Sequence, residues 1–271
     1  MAADLTLAIA GLGAIGREVA RRIDRGSVPG IRLAATSARD QEKAQAFLQE
    51  LARPVVFAAP ERLAEHADVV LECLPSPLFR RVAEPTLRLG RIFMPLSVGA
   101  LLDNMDLVEL AHETGGRIIV PTGALLGLDA VRAVSEGTVE EVTIETRKPP
   151  NGLAGAPYLL ANRISVEGLM APLRVFAGSA REAIVGFPAN VNVAVALSLA
   201  GIGPDRTRVE IWADPSLNRN THTIRVRSDS SDLTMTIASI PSPENPRTGK
   251  VTALSAVAAL RRLTAPLLVG T

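Results

Sequence analysis

Leu5-Thr-Leu-Ala-Ile-Ala10 is an almost unbroken apolar run, the pattern of a strand covered on both faces, and it ends in Gly11-Leu-Gly-Ala-Ile-Gly16. Directly after it Ile15, Val19, Ala20 and Ile23 recur at helical spacing while Arg17, Glu18, Arg21 and Arg22 take the opposite face. That pattern predicts an amphipathic helix packed on a sheet. The alternation continues: 31–36 reads as a strand, 41–53 as a helix, 55–57 as a short strand and 69–74 as another. Further units follow at 91–95, 103–114 and 117–120. Strand and helix in regular succession predict a parallel sheet with right-handed crossovers over residues 1–120.

Past Pro121 the pattern changes. Residues 142–146, 207–212, 222–227 and 233–237 alternate apolar with polar positions, as half-exposed antiparallel strands do. Between them 190–200 is apolar nearly all round, which predicts a buried helix, and Lys250 to Arg262 gives a last amphipathic helix behind Pro246. The 271 residues therefore read as two domains: 1–120, and an α+β domain over 121–249 with a largely antiparallel sheet. The C-terminal helix at about 250–263 is expected to pack back on the first domain.

Composition narrows the possibilities. Apolar residues at 47% and charged residues at 21% exclude a disordered or fibrous chain. Lys plus Arg number 29 against 28 Asp plus Glu, so the net charge of +1 gives no electrostatic reason to expect nucleic acid or an anionic membrane as partner. The single cysteine, Cys73, forms no intramolecular disulfide, and the histidines at 66, 112 and 222 lack metal-ligand spacing. A reducing cytoplasm fits this usage. The first apolar run, bounded by Asp4 and Gly11, is too short for a signal peptide or a membrane span.

Gly11, Gly13 and Gly16 form G-x-G-x-x-G between a predicted strand and a predicted helix. In that context the first glycine permits a tight turn, the second lets backbone approach a pyrophosphate, and the third lets helix and strand pack closely. With Ala14 and Ile15 supplying N–H groups at the helix start, the loop predicts a bound dinucleotide and a Rossmann-type α/β fold. The acidic residue that normally follows the second strand and binds the ribose of NAD is missing. Ser37 and Arg39 stand there instead and suit a 2′-phosphate, so NADP is expected to serve at least as well as NAD. Asp40 lies nearby, at the expected start of the next helix, and keeps NAD open.

The segments 120–130 (VPTGALLGLDA), 146–155 (TRKPPNGLAG), 187–193 (FPANVNV) and 219–222 (RNTH), with the glycine loop and the 245–248 NPRT, span nearly the whole chain. Together they resemble the L-aspartate dehydrogenases. The resemblance implies NAD(P)-dependent oxidation of L-aspartate to iminosuccinate, which hydrolyses to oxaloacetate and ammonia. It also implies the reverse amination, or delivery of iminosuccinate to NAD biosynthesis, and a homodimer. By motif, His222 is implied as the catalytic histidine, and Ala124 with an asparagine of the Asn190-Val-Asn192 pair as contacts of the nicotinamide half. The spacing before the histidine favours Asn192 over Asn190. The missing acidic residue and the Cys73-Leu-Pro-Ser76 segment depart from the family pattern.

On its own terms His222 shares a strand face with Ile224 and Val226, so the imidazole is expected on the covered side. A structural histidine is the plainer reading of that placement, and a general acid or base the sharper one. Asn190 suits an N-cap; Asn192, in the first turn of a buried helix, needs partners for its amide. Arg147 and Lys148 could bind the two carboxylates of aspartate, although a basic pair at a strand end is more often solvated. His66 and His112 read as surface residues and Cys73 as inert packing. The same fold and cofactor would also serve a dehydrogenase of another imine, 2-oxo acid or semialdehyde, or a non-catalytic dinucleotide sensor.

Overall fold

The computed structural model describes residues 4–188, 191–242, 244 and 249–270. The chain divides into two compact units, 1–121 with 252–268, and 122–251 with 269–271.

The first unit runs β1 (Leu5–Ala10), α1 (Ala14–Asp24), β2 (Ile31–Ser37), α2 (Gln41–Leu48), β3 (Val56–Phe57), β4 (Val69–Glu72), α3 (Phe79–Arg88), β5 (Ile92–Pro95), α4 (Asp106–Thr114) and β6 (Arg117–Ile118). The strands lie in the order β3-β2-β1-β4-β5-β6, and every pairing is parallel. The order reverses between β1 and β4, and ligands of open α/β sheets sit at the carboxyl ends of strands at such a switch point. α1 turns Gly16, Val19, Ala20 and Ile23 inward, the stripe its sequence spacing predicts.

Two helices differ from expectation. α2 ends at Leu48 rather than at 53, because only Ala44 and Phe47 are buried along it. α3 has no counterpart in the sequence reading. Pro85 inside it removes an N–H from the helical ladder, yet Phe79, Val82, Ala83, Thr86 and Leu87 bury a full stripe and hold the helix in place.

The second unit comprises α5 (Leu128–Val134), β7 (Val139–Lys148), α6 (Pro157–Ala161), β8 (Leu173–Ser179), α7 (Ala180–Gly186), α8 (Asn192–Ala200), β9 (Arg208–Ala213), β10 (Thr221–Ser228) and β11 (Asp232–Ala238). Its sheet order is β11-β10-β7-β9-β8. Antiparallel pairing holds for β10 with β11, β10 with β7, and β8 with β9, but β7 and β9 run parallel. The sheet is thus largely antiparallel, as expected, with one parallel pair at its centre; alternation reports which face is covered and says nothing of strand direction. α8 is buried from Ala194 to Ser198 and packs against α5 and α7.

The last helix, α9 (Lys250–Arg262), enters the core of the first unit: Ala253, Ala256, Val257 and Leu260 cluster with Leu7, Ile9, Val19, Ile23 and Val69. Among the described residues no helix is long and apolar enough to cross a membrane, and no cluster of metal-ligating side chains is present.

Candidate active site

In the first unit the glycine loop has the geometry its spacing requires. Gly11 has φ +101°, and a Cβ there would lie 2.7 Å from the Cys73 carbonyl oxygen. A Cβ on Gly16 would lie 2.0 Å from the Gly11 carbonyl oxygen, so helix and loop meet with no room for a side chain. Gly13 is different. Nothing lies within 4 Å of where its Cβ would be, and as N-cap of α1 it offers no side chain to the free N–H groups. An exposed, uncapped helix start beside an open glycine is suited to a pyrophosphate. Ala14 and Ile15 form the first positions of this helix, both half-buried.

The Gly11 N–H donates to the Ser37 carbonyl at 2.9 Å, which brings the end of β2 against the loop. Thr36 Oγ1 and Ser37 Oγ are buried there without a hydrogen-bond partner among the described residues. Orphaned hydroxyls at the carboxyl end of β2 fit the polar groups of a bound dinucleotide. Arg39 lies on the exposed bend that follows. Asp40 is occupied elsewhere: it caps α2, accepting from the Lys43 N–H at 3.1 Å and pairing with Lys43 Nζ at 3.1 Å.

Glu72, which the sequence reading passed over, ends β4 at the switch point and is fully buried. Its carboxylate accepts from Leu74 N–H at 2.6 Å, Ser97 N–H at 3.0 Å and Ser97 Oγ at 3.1 Å. Burial pushes its carboxyl above the usual range, and these hydrogen bonds oppose the shift. Cys73, next along the chain, packs against the core cluster, and burial, followed by the charge of Glu72, raises its thiol well above the usual range. Such a thiol is inert.

In the second unit the covered face of the sheet is apolar at one end and polar at the other. Val142 pairs with Val226 and Ile144 with Ile224; the next register position pairs Thr146 with His222, and Lys148 follows on the same face of β7. His222 is 3% exposed, Thr146 2% and Lys148 5%. Thr146 Oγ1 and His222 Nδ1 lie 3.0 Å apart in a hydrogen bond. Burial, and then the charge of Lys148, push the imidazole down to about 3, so it is neutral at physiological pH. Burial likewise lowers Lys148 to about 8, which leaves it mostly cationic at pH 7.

Arg147 points the other way. Its guanidinium pairs with Glu145 at 2.7 Å and Asp214 at 3.3 Å and lies 4.6 Å from the centre of the Trp212 ring. The two basic residues therefore do not form one carboxylate clamp. Ala124 sits in the turn before α5, Asn192 is the first residue of α8, and Asn190 lies outside the described residues. His66 is half-buried beside β4 and His112 is exposed on α4.

Two family profiles match this arrangement: "Homoserine dehydrogenase, NAD binding domain" over residues 11–121 and "Aspartate dehydrogenase, C-terminal" over 129–263. The solved aspartate dehydrogenase of Thermotoga maritima shares the fold, with a TM-score of 0.74 at 23% identity over 98% of this chain and 99% of its own. The L-aspartate dehydrogenase of Bradyrhizobium diazoefficiens is 54% identical over 99% of this chain and 95% of its own length. That of Methanocella arvoryzae is 43% identical over 98% and 99%. The chain belongs to the L-aspartate dehydrogenase family. As a member of that family it is an NAD(P)-dependent oxidoreductase, and the open loop at Gly13 and the orphaned hydroxyls of Thr36 and Ser37 suit that cofactor. The family's C-terminal profile covers all of β7 to β11, and so includes Thr146, Lys148 and His222.

Proposed function

We propose that the chain oxidises L-aspartate to iminosuccinate, which hydrolyses to oxaloacetate and ammonia, with His222 as the acid-base group. The observation that carries this reading is a buried, neutral imidazole held by Thr146 and set beside a cationic lysine, in a chain of this family. When bound, the nicotinamide ring takes up the hydride that leaves the aspartate Cα.

Neutral imidazole is the form that accepts a proton. The hydrogen bond to Thr146 Oγ1 fixes the ring orientation, and in the tautomer in which Nδ1–H donates to that oxygen the lone pair is on Nε2. Nε2 takes a proton from the substrate ammonium, so that the amine nitrogen can form the C=N bond. The ring releases that proton to solvent, takes another from the water that adds to the carbon of the C=N bond, and returns it to the nitrogen that departs as ammonia. Gly11, Gly13, Ala14, Ile15, Gly16, Ser37 and Arg39 are proposed to hold the adenosine and pyrophosphate parts of the cofactor, and Ala124 and Asn192, with Asn190 as the alternative, its nicotinamide half. The active species is proposed to be a cytoplasmic homodimer joined through the outer face of the second sheet, where Thr143, Arg147, Trp212 and Thr223 are half-buried. Light scattering that finds only monomer at micromolar concentration excludes the dimer.

His222→Asn is expected to lower turnover of aspartate at least ~100-fold with the fold intact, the usual weight of a positioned acid-base group. A folded variant that turns over at near the normal rate removes His222 from the mechanism.

A further inference from the structure

We propose that Ser239 and Asn220 bind the substrate, the hydroxyl of one and the amide of the other donating to a substrate carboxylate beside His222. The proposal rests on the reading of His222 given above. Ser239 is 5% exposed, and its Oγ is the one buried hydroxyl of the second unit without a hydrogen-bond partner among the described residues. A dry, unpaired hydroxyl costs free energy in the free protein, and a ligand that accepts its hydrogen bond removes that cost. Backbone pairing fixes where it lies. The Ser239 N–H donates to the Asn220 carbonyl at 2.8 Å, so the two residues stand opposite each other, one pair beyond Thr221 and Ala238. With a period of two, Asn220 shares the face of β10 that carries His222, and Ser239 the face of β11 that carries Ile237, the partner of His222. Each is thus about 7 Å from His222, one along the strand and the other diagonally across the pair.

The surroundings leave the hydroxyl room to act. A Cβ on Gly249 would lie 3.0 Å from the Ser239 Cβ and 3.3 Å from its Oγ, so a glycine at that position keeps the hydroxyl uncrowded. A step of χ1 between staggered wells turns it toward a ligand. Asn220 is half-buried and brings two N–H donors. Hydroxyl and amide are neutral donors, and the group they suit best is an ionised acceptor with two oxygens, to which hydrogen bonds are short and strong. L-Aspartate carries two such groups. A carboxylate held on this strand pair turns the neighbouring amine toward the imidazole, which is the orientation that proton transfer to His222 requires.

The test measures succinate binding by titration calorimetry and steady-state kinetics with L-aspartate, both with saturating cofactor, in wild type, Ser239→Ala, Asn220→Ala and Asn220→Asp. Ser239→Ala is expected to raise the Kd of succinate and the KM for aspartate together by ~10-fold, the weight of one hydrogen bond to a charged group, with a much smaller change in kcat. Asn220→Asp sets a negative charge against the carboxylate and should weaken both more than Asn220→Ala does. Because the Ser239 hydroxyl has no hydrogen bond to lose among the described residues, the thermal midpoint of unliganded Ser239→Ala should be no lower than that of wild type. A merely structural serine would lower that midpoint and leave succinate binding unchanged, and this outcome overturns the proposal, as does an Asn220→Asp variant that binds succinate like wild type. Calorimetry needs no turnover, so His222→Asn assayed alongside separates the two claims. If it turns over normally while Ser239→Ala and Asn220→Asp lose succinate, the reading of His222 fails and the carboxylate contacts stand. If it is inactive while those two variants bind succinate normally, only the carboxylate contacts fail.

Discussion

Glu72 and His222 each end an apolar row inside their unit, and each is driven by burial toward its neutral form, yet their surroundings are built in opposite senses. Both oxygens of Glu72 receive hydrogen bonds, and the donors, Leu74 and Ser97, belong to the chain segments that follow β4 and β5. The carboxylate thus ties two loops together at the switch point of the parallel sheet. Among the described residues His222 has one side-chain hydrogen bond, to Thr146, and a neighbouring lysine whose charge makes protonation still harder. A buried group whose contacts all stabilise it acts as a brace. One whose neighbours hold it away from its ordinary protonation state keeps a reactive form ready, at a cost in stability.

The largest effect should appear in acid. Because the folded imidazole titrates near 3 and the unfolded one near 6.5, the unfolded chain binds more protons between those values. Stability contributed by neutral His222 is complete above pH 6.5 and is lost as pH falls toward 3, by roughly 4–5 kcal/mol if the full shift is realised. Urea midpoints of wild type and His222→Asn measured from pH 7 to 4 should converge as the pH falls; parallel curves would place the imidazole in a wetter setting than the structure gives it.

Next in size is the brace. Glu72→Ala leaves the Leu74 and Ser97 N–H groups without their acceptor and should cost about 2–4 kcal/mol, while Glu72→Gln, which must turn an NH2 toward one of those donors, should cost less, about 1–2 kcal/mol. Neither substitution should move the pH at which His222 titrates. Equal costs for the two variants would mean that the shape of the side chain contributes nothing and the carboxylate carries the whole effect.

The smallest effect concerns the cofactor's adenosine end. Since Asp40 is engaged with α2 and Lys43, the end of β2 presents hydroxyl groups rather than a carboxylate, which removes the repulsion a 2′-phosphate would meet. Arg39→Ala should weaken NADP binding about tenfold and leave NAD nearly unchanged, as dissociation constants from fluorescence titration would report. NAD binding tenfold tighter than NADP in the wild type, with no effect of the substitution, would reverse this reading.

Much of this was legible in the residues. β1, the glycine loop and α1 follow from an apolar run, three glycines and a helical stripe, each of which has a local cause. The period of two also separates Arg147 from Lys148 and puts Lys148 with Thr146 on one face, so the sequence already contained the distinction that the structure makes between them. It could not tell that this strand end is buried, because burial depends on distant chain. α3 was hidden by Pro85, and α7 was overlooked although Ser179 and Glu182 have capping-box spacing, which the structure realises in both directions. Glu72 was invisible for a different reason: its partners Leu74 and Ser97 carry no motif, and only the parallel pairing of β4 with β5 brings them together.

The path of the chain through α9 has a consequence for biosynthesis. The nucleotide-binding unit is begun by residues synthesised before the 122–251 unit, but its core is closed by Ala253, Ala256, Val257 and Leu260, synthesised after it. Until then Leu7, Ile9 and Val19 lack part of their apolar cover, and the intervening 122–251 unit, continuous in sequence, can complete its own sheet first. The unit that is begun before the other is thus finished after it, and a nascent chain stalled before residue 252 carries an open hydrophobic groove where a longer one carries a helix.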